Sequence, residues 1–162
     1  MTDEQYIIIT DYPNYAISTY GQVLNIKTGR ILKSGTDRGG YYVVILSKDK
    51  IQKIKRVHKL VSNAFLNNSE NKPCCDHIDR DRKNNNILNL RFATVSENIH
   101  NSSIKKTNTS TCTGVTFERN NWRVRISING KRVHVGSYAN FDDAVLERKR
   151  QVDLHYKEFK AL

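Results

Sequence analysis

Short hydrophobic runs, separated by glycine, proline or asparagine, fill the first third of the chain. Tyr6–Ile9 and Tyr15–Ser18 are the first two of these runs, and their spacing predicts short strands joined by tight turns. A β-branched and aromatic run follows at Tyr41–Leu46, and Ile51–Val57 places lysines at alternating positions. These two segments predict a hairpin, so the N-terminal part is expected to be rich in β-structure.

The hydrophobic period changes after this hairpin. Between Val57 and Asn67, apolar residues recur at intervals of three and four, which places them on one face of a helix. They are Val57, Leu60, Val61, Ala64 and Phe65. A second helix is expected from about Val95, and Ser96 with its neighbours offers an N-cap.

Alternation returns in the C-terminal part of the chain. It predicts three antiparallel strands, at Val115–Arg119, Trp122–Ile128 and Lys131–Tyr138. The pair Asn129-Gly130 predicts the tight turn between the last two. Asn140 is expected to cap a helix that reaches about Tyr156. The predicted fold class is therefore α+β, made of several small modules.

The charge distribution indicates the partner. The chain of 162 residues has a formal net charge of +11. Residues 1–72 carry +5 and residues 101–162 carry +6, while the central residues 73–100 are neutral. Basic flanks attract polyanions, so a nucleic acid is the expected partner. The three cysteines form no C-x-x-C pair, which argues against structural zinc.

Neither a signal-peptide pattern nor a long apolar run occurs, so no membrane association is expected. The predicted location is the cytoplasm, with the protein associated with the nucleoid or present in a phage- or virus-infected cell.

The central stretch resembles the His-Asn-His (HNH) homing endonucleases of phages and mobile introns. The matching segments are Val57–Val61, Asp76–Asp79, Lys83–Asn85, Asn89–Arg91 and Ser96–Asn98. The resemblance implies a ββα-metal (His-Me finger) core that hydrolyses DNA with one divalent cation.

The residue chemistry agrees with that role. His77 is the expected general base, since an imidazole titrates near neutral pH. Asp76 and Asn98 offer hard oxygen ligands that suit Mg²⁺ or Mn²⁺. Asn89 is expected to orient the His77 ring. His100 is an alternative ligand to Asn98, but two residues along a helix it would project about 200° away.

Two flanking modules also resemble known families. Tyr15–Ser18, Gly21–Val23 and Gly29–Lys33 match the nuclease-associated modular motif that precedes such nuclease domains. The C-terminal strands and helix resemble the plant Apetala-two DNA-binding domain, on Gly114-Val115, Trp122–Ile126, Asn129–Arg132, Val135-Gly136, Tyr138 and Phe141–Ala144. The expected domains are residues 1–40, 41–104 and 114–162, with 105–113 as a linker.

The expected function is a site-specific DNA endonuclease that acts as a monomer on an extended site and nicks one strand per active site. The predicted DNA-binding residues are Lys53, Lys55, Arg80, Lys83, Arg119, Arg123, Arg125, Lys131 and Arg132. Trp122 is expected to pack beneath the C-terminal sheet. A DNA-binding regulator with a decayed nuclease core is the alternative function, and an RNA-directed or structure-specific nuclease is a further one.

Overall fold

A computed structural model describes residues 3–101, 110–128 and 130–156 of the chain. The chain divides into two compact units, Met1–Ala93 and Thr94–Leu162. The mixture of small sheets and helices confirms the predicted α+β class.

The first unit contains three small antiparallel sheets. The four-stranded sheet is formed in order by β1 (Tyr6–Ile8), β2 (Tyr15–Ser18), β3 (Val23–Asn25) and β4 (Arg30–Ile31). The three-stranded sheet is formed by β5 (Gly35–Thr36), β6 (Tyr42–Lys48) and β7 (Ile51–Arg56). Helix α1 (Val57–Phe65) follows, and β8 (Cys74–His77) then pairs with β9 (Leu90–Ala93). A 3-10 turn at Ile87–Asn89 leads into β9. Neither β5 nor this turn was expected from the sequence.

One hydrophobic core joins the sheets of this unit to α1. It includes Ile17 of β2, Leu46 of β6 and Val61 of α1, each with no exposed surface. The predicted apolar face of α1 is confirmed, since Val57 and Val61 lie in the core and the other three residues pack against it. Burying side chains of this size contributes about 1.5–3 kcal/mol each before chain entropy is counted. The N-terminal sheet and the elements after residue 40 therefore stabilise one another, while the predicted domain boundaries stay predictions.

The second unit begins with α2 (Val95–Asn101). The Glu97 N–H donates to Thr94 Oγ1 over 3.2 Å, and the Thr94 N–H donates to Glu97 Oε2 over 2.6 Å. This reciprocal pair is a capping box. Ser96 itself lies inside the helix, and among its neighbours it is Thr94 that acts as the N-cap.

The remaining part of this unit is a sheet with one helix. Strands β10 (Val115–Glu118), β11 (Asn121–Ile128) and β12 (Lys131–Tyr138) pair in that order, and all pairs are antiparallel. Helix α3 (Phe141–His155) starts after Asn140, whose Oδ1 accepts a hydrogen bond from the Asp142 N–H over 3.0 Å. The three predicted strands and the predicted helix are thereby confirmed.

Two earlier expectations fall partly outside the described residues. These are the turn residue Asn129 and most of the predicted linker, residues 105–109.

The core of the second unit is formed by Val115, Val124 and Ala144, which are 0–1% exposed. Trp122 packs against Phe117 and Phe141, with ring centroids 4.9 and 4.6 Å apart. The expectation that Trp122 supports the sheet is therefore confirmed. Across the described ranges, no helix has both the length and the apolar character needed to cross a membrane.

Candidate active site

Strand β8 carries the two residues at the centre of the predicted site. Asp76 and His77 are each 5% exposed, although both have polar side chains. In the register with β9, Asp76 lies opposite Arg91 and His77 lies opposite Leu90. Successive residues of a strand point to opposite faces, so the carboxylate and the imidazole are presented on different sides of β8.

The buried carboxylate of Asp76 is paired with its cross-strand neighbour. Both Nε and Nη2 of Arg91 donate to Asp76 Oδ2, each over 2.9 Å. A carboxylate at this depth requires a compensating charge, and a guanidinium also fixes its orientation. Arg91 therefore holds the Asp76 carboxylate in one position.

The His77 ring contacts an asparagine of the loop between β8 and β9. Its Nε2 lies 3.2 Å from Asn85 Oδ1. Asn85 is 4% exposed, and its Nδ2 donates to the Lys83 carbonyl oxygen over 3.1 Å. That second bond fixes the amide so that its oxygen faces His77. In the neutral ring, Nε2 therefore carries the proton and Nδ1 is the proton acceptor.

Asn89 closes the loop between β8 and β9. Its Nδ2 donates to Asp79 Oδ1 and to the Asn84 carbonyl oxygen, both over 2.8 Å, and its Oδ1 accepts from the Asp79 N–H over 3.0 Å. Burial opposes the ionisation of Asp79, but hydrogen bonds from Asn84 and Asn89 lower its pKa overall. The predicted contact of Asn89 with the His77 ring stays a prediction.

Two further rings surround His77. The His58 ring centroid lies 5.0 Å from that of His77, and the Tyr41 centroid lies 4.9 Å from His58 and 6.0 Å from His77. His58 is 3% exposed, and burial together with His77 lowers its pKa to about 3. His58 is therefore a neutral ring that packs beside His77.

Helix α2, in the second unit, carries both candidates for the other metal ligand. Asn98 is half-buried, and its N–H donates to the Thr94 carbonyl oxygen. His100 stacks on Tyr156 with 3.9 Å between ring centroids, and its Nδ1 lies 3.5 Å from Nη2 of Arg148. Burial, and then Arg148, lower the pKa of His100. A guanidinium beside the ring disfavours a second cation there, which favours Asn98 as the ligand.

The predicted DNA-binding residues are distributed over both units. Lys131 and Arg132 are exposed on β12, and Arg119 is exposed in the turn between β10 and β11. Lys53 and Lys83 are exposed in the first unit. Lys55 and Arg80 are half-buried, and the Lys55 ammonium lies 5.3 Å from the centroid of the Tyr12 ring.

The two arginines of β11 share a carboxylate. Arg125 donates to both oxygens of Glu118 over 3.0 and 3.1 Å, and Arg123 donates to one of them over 3.0 Å. Alternation along a strand puts Arg123 and Arg125 on one face, but it does not reveal their shared carboxylate partner.

The site also contains residues that the sequence pattern did not single out. Asn85 was not distinguished from its neighbours Asn84 and Asn86, because runs of asparagine are common in turns. Arg91 could have been found from strand pairing, since it lies directly opposite Asp76. Within the described part of the chain, no group of three or more His, Cys, Asp or Glu side chains could hold a metal ion. The predicted metal site differs from such a group because it has only one carboxylate and one amide from the protein. Phosphate oxygens of the substrate and water molecules would supply its remaining ligands.

Comparison with known proteins adds three findings. Residues 4–47 match the family model of the NUMOD4 motif. The chain is 39% identical over 99 residues to an HNH endonuclease of Acanthamoeba polyphaga mimivirus, a match that covers 59% of this chain and 25% of the relative. It is 34% identical over 94 residues to the DNA endonuclease I-HmuI of Bacillus phage SP01, which covers 58% of this chain and 54% of that enzyme. The matches therefore span between a quarter and about half of these relatives.

A solved structure extends the likeness to nearly the whole chain. It is described as DNA binding and cleavage by the HNH homing endonuclease I-HmuI. The match has a TM-score of 0.57 and 25% sequence identity, and it covers 92% of this chain and 88% of the other.

Proposed function

We infer that this chain, which belongs to the HNH homing-endonuclease family, is a DNA endonuclease that hydrolyses phosphodiester bonds with one divalent metal ion. The observation that carries this inference is the pair of buried residues on β8, Asp76 and His77. Burying an unneeded carboxylate and imidazole together would cost stability, so their retention supports a chemical role.

His77 supplies the base in this proposal. Asn85 Oδ1 accepts a hydrogen bond from Nε2 of His77 and so orients the ring, and Nδ1 would take the proton from the attacking water. His58 and Tyr41 pack around the ring and limit its rotation. The imidazole is thereby held in one orientation and one tautomer, which is what proton abstraction from a positioned water requires.

Asp76 and Asn98 are the residues that would hold the cation, and Mg²⁺ or Mn²⁺ fits a carboxylate oxygen combined with an amide oxygen. Such an ion stabilises charge that develops on the phosphate and the leaving oxygen. Arg91 contributes by holding Oδ2 of Asp76, so that the carboxylate does not rotate. Asn89 contributes by closing the loop that carries Asn85.

The substrate that we propose is double-stranded DNA, bound by a monomer. The basic side chains of β7, of the loop after β8 and of the C-terminal sheet would contact phosphates, which explains the net charge of +11. One site per chain cuts one strand, so nicking is the expected product. We place the enzyme in the cytoplasm, where it acts on the DNA of the nucleoid or of an infecting phage or virus.

The test uses duplex DNA with both strands end-labelled, incubated with Mg²⁺ or with Mn²⁺. The wild type is expected to nick one strand, and His77→Ala is expected to lose cleavage while it retains DNA binding. His155→Ala, at the end of α3, is the matched control and should cleave like the wild type. A wild type that binds its site without cutting either strand would instead identify a DNA-binding regulator.

A further inference from the structure

Tyr41 carries two guanidinium groups beside the candidate general base. The guanidinium carbon of Arg56 lies 4.6 Å from the centroid of the Tyr41 ring, and that of Arg82 lies 5.0 Å from it. The same ring lies 6.0 Å from the ring of His77. Two cations therefore share one aromatic side chain close to the site of the proposed chemistry.

The guanidinium group of each arginine is also held by a hydrogen bond to a neighbouring residue. Nε and Nη2 of Arg56 contact Asp37 Oδ2, both over 2.7 Å, and Nη1 of Arg82 donates to the Gly39 carbonyl oxygen over 2.6 Å. The Tyr41 N–H donates to the other oxygen of Asp37 over 3.0 Å. A guanidinium has five N–H donors, so these contacts fix its position and leave donors on both groups for a ligand.

The cluster has an excess of positive charge. Asp37 balances Arg56, whereas the partner of Arg82 is a neutral carbonyl group. Helix α1 begins directly after Arg56, with no acidic residue in its first turn and no side-chain cap. The helix terminus therefore adds to the positive potential. The Arg56 side chain is 44% exposed and Arg82 is exposed, so an anion from solution can reach both.

We propose that Arg56 and Arg82, held on the Tyr41 ring, bind one phosphate of the DNA backbone next to the phosphodiester that is cleaved. Paired guanidinium groups match the geometry of phosphate oxygens, and stacking on Tyr41 orders them before the DNA arrives. Tyr41 is then a positioning residue that connects the phosphate contact to the His77 ring. This proposal rests on the proposed nuclease function, because it places the phosphate beside His77.

A binding experiment tests the site without requiring cleavage. The affinity for duplex DNA is measured at several salt concentrations, without divalent metal, for Arg56→Gln, Arg82→Gln and Lys48→Gln. Lys48 is an exposed cation at the opposite end of β6, roughly 20 Å along the strand from Tyr41. The Arg56→Gln/Arg82→Gln double variant, measured alongside, should lower the slope of log affinity against log salt by about 0.9, because the pair neutralises one phosphate. Each single arginine variant should lower it by part of that amount, and the lysine control should not lower it. Wild-type slopes in both arginine variants would overturn the proposal.

A cleavage experiment locates the phosphate. Single neutral methylphosphonates replace each phosphate near the nicking position in turn, and the rates are compared for the wild type and the Arg56→Gln/Arg82→Gln double variant. At one position, the neutral phosphate should slow the wild type by about 10- to 100-fold and should not slow the double variant further. Additive effects at every position would show that the arginines contact no phosphate near the nick.

The role of the ring is tested separately. Tyr41→Phe keeps the aromatic face and should retain the wild-type salt slope, while Tyr41→Leu removes that face and should match the arginine variants. Equal slopes for Tyr41→Leu and the wild type would remove Tyr41 from the site. If the wild type cleaves no DNA, the nuclease function fails, and the salt slopes still decide whether the arginine pair binds phosphate.

Discussion

Gly21 lies directly against Asn85, so the turn between β2 and β3 supports the residue that contacts His77. A Cβ atom at Gly21 would come within 2.8 Å of the Asn85 Cβ and 3.1 Å of Val57 Cγ1. The backbone at Gly21 has a φ of +85°, which glycine adopts without strain. The N-terminal motif therefore shapes the candidate site as well as belonging to the same core.

Gly21→Ala is expected to damage both stability and cleavage. The left-handed backbone costs an alanine roughly 1 kcal/mol. The added methyl group must also displace Asn85, which loosens its contact with His77 Nε2. The melting temperature and the nicking rate at saturating DNA should therefore both fall.

The control for this prediction is Gly29→Ala. Gly29 has a φ of +67°, but a Cβ atom there would have no neighbour within 4 Å. This variant should show the backbone cost alone, with a nicking rate close to that of the wild type. Equal nicking rates in the two variants would contradict the proposed link between Gly21 and the site.

The elements of this fold were largely predictable because their patterns are local. The apolar residues of α1 repeat at helical spacing, and the strands of the C-terminal sheet alternate and meet at an Asn-Gly turn. Asp76 and His77 stand out for a similar reason, since adjacent charged and titratable residues at the end of a short strand are rarely needed for packing alone.

The contacts that complete the site were not predictable in the same way. Gly21 and Asn85 are far apart in sequence, and they meet because the turn after β2 packs against the loop between β8 and β9, where the Ile87 N–H donates to the Thr19 carbonyl oxygen over 2.8 Å. No local pattern encodes such a contact. The sequence left the capping residue of α2 open for a different reason: Thr94 and Ser96 are both acceptable N-caps, and only the reciprocal bond with Glu97 selects Thr94.

Arg91→Gln is expected to weaken metal binding at Asp76. The guanidinium holds Oδ2 of the carboxylate from the opposite strand, and its loss frees the carboxylate to rotate. Loss of such an orienting partner typically weakens metal affinity by about 10- to 100-fold. The Mg²⁺ concentration that gives half-maximal nicking should rise by that factor.

Arg91→Lys provides the comparison, because it keeps the charge and loses the second donor of the fork. Its Mg²⁺ requirement should lie between those of the wild type and Arg91→Gln. If Arg91→Gln needed less Mg²⁺ than the wild type, the arginine would be acting as a competing cation instead of an orienting group.

His58 is expected to make the folded protein sensitive to acid. Its pKa is about 3 in the folded chain, against 6.5 for an ordinary histidine. Between these values the unfolded chain binds a proton that the folded chain does not, so stability falls as the pH falls below about 6.5. The slope from this one group approaches about 1.4 kcal/mol per pH unit.

His58→Phe keeps a ring between Tyr41 and His77 and removes the titrating group. Urea unfolding followed by circular dichroism at pH 7, 6 and 5 should show a smaller loss of stability in this variant than in the wild type. His134→Phe, an exposed histidine on β12, is the control and should retain the wild-type slope. Parallel slopes in all three proteins would place the acid sensitivity elsewhere.

Glu118→Gln is expected to strengthen DNA binding by the C-terminal sheet. In the free protein, Glu118 pairs with both Arg123 and Arg125, and its hydrogen bond with Arg125 is the main reason why its pKa is lowered. A phosphate that approaches these arginines must compete with the carboxylate. Gln has a similar size and no charge, so the variant should bind duplex DNA up to about fivefold more tightly, the range of an exposed ion pair.

Glu147→Gln, which removes a carboxylate paired with Arg150 on α3, should leave the affinity unchanged. Weaker binding by Glu118→Gln would show instead that the carboxylate positions the arginines for DNA.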